Sequence, residues 1–495
     1  MIRVISLYII LSLSAGILSA QTLDDALRYS FYDYYSTARY SGVSGAFSPL
    51  GADVSVASVN PAGIAEFRKS EITATLNFLT TENQVELDQV GTSRGLSKVG
   101  LGNIAAVFHN NPLSFDTKTF NIAVGYNRLA DFNETIEYEA LSAGTIVQRF
   151  LEQANGVSLN DLGIFEAGPA FDAGAIFDPE EDQSYLSDFV TLRETINRAE
   201  TITRTGSLNE IFLSIGSNIK NKLSWGVTLG FPFLNFSEER RYTEDDQLDQ
   251  VEFFENLAFN QNLSTSGVGA NIKVGLIYKI TPQLRLGAAI HSRSVFLLTD
   301  DFDTQVDYTF VEDGIVNSSS ELSPLSENFE YQLQGAWRAI GGIGYLYKLG
   351  GLRGFISGEV EYVNYPSASF NLTANSNDPL DQFFEQDLNA EIDDFLGSAL
   401  NFKIGTELAM DHFRVRLGAN MIDSPFQDEG ILEYDLGLSG GLGYRGDRFY
   451  IDVAYTLRSF DTNYSPYALL DFNDEPFVSI NQRRQLITAT IGYKL

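Results

Sequence analysis

A period-two alternation of apolar and polar residues recurs from Ile72 to the C-terminus, and no other feature of the chain restricts its fold as much. In residues 449–457 the odd positions are Phe449, Ile451, Val453, Tyr455 and Leu457, opposed by Tyr450, Asp452, Ala454 and Thr456. Phe413, Val415, Leu417, Ala419 and Met421 stand in the same way against Arg414, Arg416, Gly418 and Asn420, and residues 268–278 and 487–495 repeat the pattern. Successive side chains of a strand point to opposite faces, so each segment is a strand with one greasy side. Fourteen such segments begin near Ile72, Asn103, Thr119, Glu210, Leu223, Ser264, Leu284, Tyr331, Gly351, Leu400, Phe413, Tyr434, Phe449 and Gln485.

Alternation suits a soluble sandwich as well as a membrane barrel, and the connections decide between them. Residues 110–118, 220–222, 281–283, 348–350, 411–412 and 445–448 are short links. They alternate with long ones at 79–102, 128–209, 237–263, 299–330, 367–399, 422–433 and 459–484. An even strand count with every long connection at one end is the plan of a bacterial outer-membrane barrel, whose periplasmic turns are short. Hydrocarbon also penalises any open sheet edge, which forces closure. The expected fold is all-β: a 14-stranded antiparallel transmembrane β-barrel over residues 71–495, in the outer membrane of a Gram-negative cell.

Composition agrees, with 42 Gly, 36 Phe and 24 Tyr at a mean hydropathy of −0.07. A net charge of −32 with no offsetting basic run excludes nucleic-acid binding. The absence of Cys excludes disulfides, thiolate metal sites and Cys nucleophiles. Acidic runs such as Asp178-Pro179-Glu180-Glu181-Asp182 fall in the long connections. They read as solvated loops, with cation bridging to lipopolysaccharide or a weak calcium site as the alternative. Residues 1–20 carry Arg3, an apolar run and a small-residue exit at Ala20, the pattern of a cleaved secretory signal.

Residues 21–70 are not barrel-like. Helical spacing in 23–29 gives way to Gly42, Gly45, Gly51, Asp53 and Asn60-Pro61-Ala62-Gly63. Gly42 and Gly45 permit close backbone approach, and Asn60-Pro61 starts a turn with Gly63 free to take positive φ. These residues, placed just before the first of fourteen strands, resemble the FadL-type family of outer-membrane transporters for long-chain fatty acids and other hydrophobic compounds, in the form seen in Bacteroidetes. The resemblance implies that 21–70 fold into the lumen as a hatch, with Gly42, Gly45, Asp53, Asn60, Pro61, Ala62 and Gly63 as its motif. It also implies ligand capture at the surface loops, an apolar pocket, and a sideways exit near the third strand, placed at 120–127. The chain departs from the family pattern in the roughly 80-residue connection 128–209 and in ending on Leu495.

Alternation points Lys273, Arg285, His291, Arg293, Arg353, Glu359, Glu361, Lys403, Glu407, Arg414, Arg416 and Asp452 into the lumen. Mixed signs imply ion-pair ladders around a filled interior, with Arg353, Arg414 and Arg416 as candidates to grip a ligand carboxylate. Helical spacing in Ile146, Phe150 and Leu151, and again in Leu186, Phe189, Val190, Leu192 and Ile196, predicts loop helices packed on neighbouring loops, as does the apolar group Phe253, Phe254, Leu257 and Phe259. His109, His291 and His412 are too scattered for a catalytic triad, and no metal or nucleotide motif is present. Arg445-Gly446-Asp447 reads as a tight turn.

The expected function is passive transport of long-chain fatty acids or other small hydrophobic compounds, without cofactor or catalysis. The expected partners are the hydrophobic ligand, membrane lipid and lipopolysaccharide, and the protein is expected to be a monomer. The alternatives are a FadL-like non-transporting partner in a protein-secretion assembly, or a general porin.

Overall fold

The structure is a computed structural model that describes residues 22–112, 116–312, 314–373, 379–427 and 434–495; the signal lies outside them. Nineteen β elements form one antiparallel sheet. They are β1 (Glu71–Leu87), β2 (Val90–Asn110), β3 (Thr117–Asp131), β4 (Glu134–Ala143), β5 (Thr195–Ile219), β6 (Leu223–Asp245), β7 (Phe254–Lys279), β8 (Leu284–His291), β9 (Val295–Glu312) and β10 (Ile315–Leu322). There follow β11 (Ser326–Gln334), β12 (Trp337–Leu349), β13 (Leu352–Asn364), β14 (Ser369–Asn371), β15 (Ser398–Met410), β16 (Phe413–Asp423), β17 (Tyr434–Arg445), β18 (Phe449–Tyr464) and β19 (Val478–Lys494). The sheet closes on itself, with β1 and β19 in register from Glu71↔Lys494 to Glu86↔Ser479.

Several of these elements are pieces of one interrupted stave. β8 and β9 both run along β7; β12 pairs with β8 while β11 and β10 pair with β9; β13 pairs with β12 and β14 with β11. β3 and β4 both run along β5. Counting each stave once gives fourteen, at the fourteen places where the alternation predicts them.

The long connections differ from expectation, because much of their length is strand. Residues 79–102 form the upper half of a hairpin closed by Asp88 and Gln89 at φ of 47° and 68°, the paired positive angles of a tight two-residue turn. β5 and β6 likewise pair without interruption from Ile219↔Leu223 to Asn197↔Asp245. Above the bilayer both faces of a strand meet water or packed loop, so the alternation fades while the ladder continues. The first predicted loop helix is present at Val147–Ala154; residues 186–196 instead make a bridge between Phe177 and Leu186 and then enter β5. Both segments pack as expected in one buried cluster containing Ile146, Phe150, Phe189, Ile196, Phe254, Leu257 and Phe259. Val190 and Phe253 remain exposed.

The two faces separate cleanly. On β18, Phe449, Ile451, Val453 and Tyr455 are exposed, whereas Tyr450, Asp452 and Ala454 are buried. Neighbouring staves continue the outer face with Leu438 and Leu442 on β17 and Ile487 and Ile491 on β19. Such a continuous apolar belt far exceeds what a soluble protein exposes, and the closed ladder leaves no edge for lipid to meet. This is an outer-membrane β-barrel. One predicted inward charge is misplaced: Arg293 falls in the break between β8 and β9, is exposed, and donates to the Ser367 carbonyl at 3.1 Å.

Substituting Val453→Arg on the lipid face should lower stability in bilayer unfolding titrations by about 2–4 kcal/mol, the cost of a charge near the bilayer midplane. An unchanged midpoint would contradict the assignment of that face to lipid.

Candidate functional site

Residues 22–70 lie inside the barrel. Their helices are α1 (Leu23–Arg28), α2 (Ala38–Ser41) and α3 (Val56–Val59), followed by a 3-10 turn at Pro61–Glu66; the loop helices outside are α4 (Val147–Ala154), α5 (Ala167–Asp172) and α6 (Pro379–Phe395). The motif residues hold this segment together. The Asp53 carboxylate accepts from the Thr37 hydroxyl at 2.8 Å and from the Ser55 amide and hydroxyl at 3.1 and 2.6 Å, tying α2 to α3. Asn60 caps the 3-10 turn through the Ala62 amide and donates to the Ser48 carbonyl inside the segment and the Leu276 carbonyl on β7. Pro61 takes the first position of that turn, where its missing N–H costs nothing. Gly45 has φ of +78°, and a Cβ on Gly63 would meet Val56 at 2.8 Å and the Gly51 Cα at 2.9 Å. Gly63 itself is not among the residues with positive φ, so its role is close approach.

The wall carries the matching signal, which the alternation hides. Inward positions on successive staves are glycines pressed against the inner segment: a Cβ on Gly226 would stand 2.2 Å from the Pro61 carbonyl oxygen, one on Gly287 2.5 Å from the Ser48 oxygen, and one on Gly418 2.4 Å from the Val43 carbonyl carbon. Gly216, Gly275 and Gly405 make similar approaches to Ala65, Asn60 and Val43. The abundance of glycine is therefore partly a cradle cut to the shape of residues 43–65.

Charges fill the remaining inward positions as ladders. Lys403 bridges Glu359 and Glu361 at 3.1 and 2.9 Å, and Arg338 reaches Glu361 at 3.1 Å. Glu359 also accepts from the Ser48 amide at 2.9 Å, and Glu210 pairs with Lys273 while accepting from Ser58. Arg416 is fully buried between Glu407 at 2.7 Å and Asp452 at 2.8 Å, so its charge is spent inside the wall. Arg353 and Arg414 instead line a cavity of about 580 Å³ beneath the inner segment, on the side of the short turns. The three histidines are structural: His109 meets Asn121 Oδ1, His291 the Val59 carbonyl and His412 the Arg445 carbonyl. Gly446 donates to the Phe449 carbonyl, closing the turn at 445–448.

Beside the ladders the lumen holds an aromatic patch, bordered by the ion pairs Arg28–Asp25 and Arg204–Glu238, with Arg28 lying 4.1 Å over the Phe236 ring. Tyr29, Phe132 and Phe236 meet edge to face at 5.7 to 6.4 Å, within a buried cluster that includes Phe212, Phe296 and Leu333.

One seam in the wall is incomplete. β2 and β3 are in register only from Asn110↔Phe120 to Asn103↔Asn127. Above this, β2 pairs with β1 alone, while β3 bulges at Arg128/Ala130 and follows β5. Residues 120–127 are thus paired on both edges, and the interruption begins one residue later than they end. Arg128 fills the slot, its Nη1 lying 2.4 Å from where a Gly100 Cβ would be and donating to Asp131 at 2.6 Å. Behind it, the Asp33 and Tyr34 amides donate to the Leu129 carbonyl at 2.9 and 3.0 Å, and Asn77 donates to the Tyr35 carbonyl at 3.1 Å. Arg458 and Arg484 hold the Asp33 carboxylate; burial pushes its pKa up, but the two guanidiniums outweigh burial and keep it below the usual range.

No protein-family model matches this chain, and no curated protein sequence does. Among solved structures it is similar to a Pseudomonas aeruginosa FadL homologue, at 11% identity and a TM-score of 0.52 over 93% of this chain and 98% of that one. It is equally similar to the Pseudomonas putida toluene transporter TodX, at 10% identity and a TM-score of 0.52 over 94% and 100%. The fold is that of the FadL-type transporters.

Two outcomes test this geometry. Gly226→Ala should cost about 1–3 kcal/mol in unfolding titrations by overpacking against Pro61, whereas Gly341→Ala, with open space around it, should cost nothing measurable. In α1, burial raises the Asp25 carboxyl to about 6 despite Arg28 beside it. The docked helix therefore binds a proton that the free chain, with an ordinary aspartate carboxyl near 3.8, releases. Its docking weakens as pH rises through that value, so exchange protection of the α1 amides should be about tenfold greater at pH 5 than at pH 7.5. Asp25→Asn should remove the difference.

Proposed function

We propose that this barrel passes small hydrophobic compounds, long-chain fatty acids or molecules of like character, across the outer membrane by passive diffusion, with residues 22–70 as the hatch and a lateral exit through the wall. The observation that carries the proposal is the unpaired seam between β2 and β3. It opens within the apolar belt: Val99, past the end of the shared register, is 72% exposed, and its β1 partner Phe78 is also an outward apolar residue. A ligand leaving the lumen through the seam at this level would meet acyl chains, not water. Each CH₂ kept from water is worth about 0.8 kcal/mol, so such a route spares an alkyl chain a prohibitive aqueous step.

The barrier is local. The Arg128–Asp131 pair occupies the slot and residues 33–36 close it from within, anchored by Asp33. Displacing that short segment would open the seam without unfolding the rest of the hatch, whose contacts to the glycine cradle lie elsewhere on the wall. The filled lumen supports a gated hydrophobic route over a general porin.

The chain has no Cys, so Gly100→Cys/Arg128→Cys places the only two thiols across the seam. Bridging them with a short bismaleimide should reduce uptake of labelled oleate or toluene at least tenfold relative to the unbridged variant. Unchanged uptake after bridging would reject the lateral exit. Absence of uptake from the unmodified protein, with co-purification of a large secretion complex, would reject transport itself.

A further inference from the structure

We propose that the cavity beneath the hatch is a second binding site, one that takes the anionic head group, carboxylate or phosphate, of a small amphiphile. The cavity, about 580 Å³, opens on the side of the short turns and is roofed by Ala52, Asp53 and residues 66–69. In a protein of net charge −32, seven Arg or Lys and only four Asp or Glu line it.

The acids there are already engaged. Glu407 is held by Arg39 and Arg416, Glu66 by Lys279 and Arg285, Asp53 by Thr37 and Ser55, and Glu71 accepts from the Tyr450 hydroxyl. Apart from Arg39, which is spent on Glu407, the cations are not fully engaged. Among the described residues Arg353 and Lys69 have no ion pair with a carboxylate, and Arg414 donates only to the Asp411 and Phe413 carbonyls at 2.8 and 2.7 Å. Arg68 reaches only Asn221, at 3.5 Å. Arg445 pairs with Asp452 through one nitrogen, at 2.8 Å, but its Nη1 is buried without an acceptor.

Like charges gathered around one cavity repel unless an anion joins them, and guanidinium forks match the planar oxygens of carboxylate and phosphate. Leu346, Phe355 and Phe67 supply apolar wall beside the cations, which suits an amphiphile better than a bare ion. The inference rests on this cavity alone and is independent of the lateral route.

Binding to the full-length protein in zwitterionic-lipid nanodiscs tests it, with octyl phosphate, inorganic phosphate and octanol as probes and empty nanodiscs as the control. Octyl phosphate should bind saturably, weaken at least fivefold between 50 and 300 mM NaCl, and bind at least tenfold more weakly to Arg353→Gln/Arg414→Gln, while octanol distinguishes neither protein. Should that variant fail to fold, Arg68→Gln/Lys69→Gln at the end of the hatch should show the same loss. Inorganic phosphate binding as tightly as octyl phosphate would assign the site to a free anion, and tenfold weaker binding to an amphiphile head group; either supports an anion site. Octyl phosphate binding no greater than to empty nanodiscs, or indifferent to salt and to both variants, would overturn it. The readout is binding, so its failure would leave the uptake result standing, and the reverse.

Discussion

Everything in this molecule follows from one requirement: a backbone amide in hydrocarbon must find its partner within the protein. The sheet meets it by closing β19 onto β1 through sixteen paired positions. Closure creates a lumen, and a lumen of fourteen staves is too wide for wall side chains alone to fill. Residues 22–70 enter it, and they fit only because wall glycines such as Gly226, Gly287 and Gly418 yield the space that side chains would occupy. The inner segment and the wall are therefore one packing problem. Where the requirement is relaxed, between β2 and β3, other groups take over: Arg128 fills the slot and the backbone of Asp33 and Tyr34 binds that of β3 from inside.

Buried charge performs a related task lower in the lumen. Lys403 stands between Glu359 and Glu361 and Arg416 between Glu407 and Asp452, and of these acids Glu359 also accepts from the Phe47 and Ser48 amides while Glu407 also pairs with Arg39. Breaking one such pair strands the partner at a cost of about 3–5 kcal/mol. The ladders thus hold the inner segment in register with the wall.

Legibility was uneven for physical reasons. Strand identity shows wherever one face meets lipid and the other a polar lumen, as in 413–421 and 449–457, because that contrast forces alternation. It vanishes in 195–208, where the strand stands above the bilayer, so those residues read as loop; in 302–310 it persists, Phe302, Val306, Tyr308 and Phe310 opposing Asp301, Asp303, Gln305 and Asp307, but there the apolar face meets packed loop and not lipid. Helical spacing at 186–196 misled because a short run cannot separate a helix from an extended segment that buries alternate residues. Arg293 was assigned inward because a three-residue break in a stave resets the parity of everything beside it. The motif residues Asp53, Asn60 and Pro61 were visible as turn and cap chemistry. Their partners, the wall glycines, were in plain sight as composition yet carried no positional meaning without knowledge of what faced them.

The amino-acid order by itself determined fourteen lipid-facing strands, the end of the barrel that bears the long connections, and a compact Gly-rich segment ahead of them, because each depends on local periodicity or turn preference. Only the tertiary structure decided that the β2–β3 seam parts after Asn103↔Asn127, that Arg416 is consumed by Glu407 and Asp452 while Arg353 and Arg414 face open space, and that residues 33–36 close the seam. These are relations between different staves, or between a stave and the N-terminal segment. They are set by closure of the barrel around its own N-terminus, which no local pattern records.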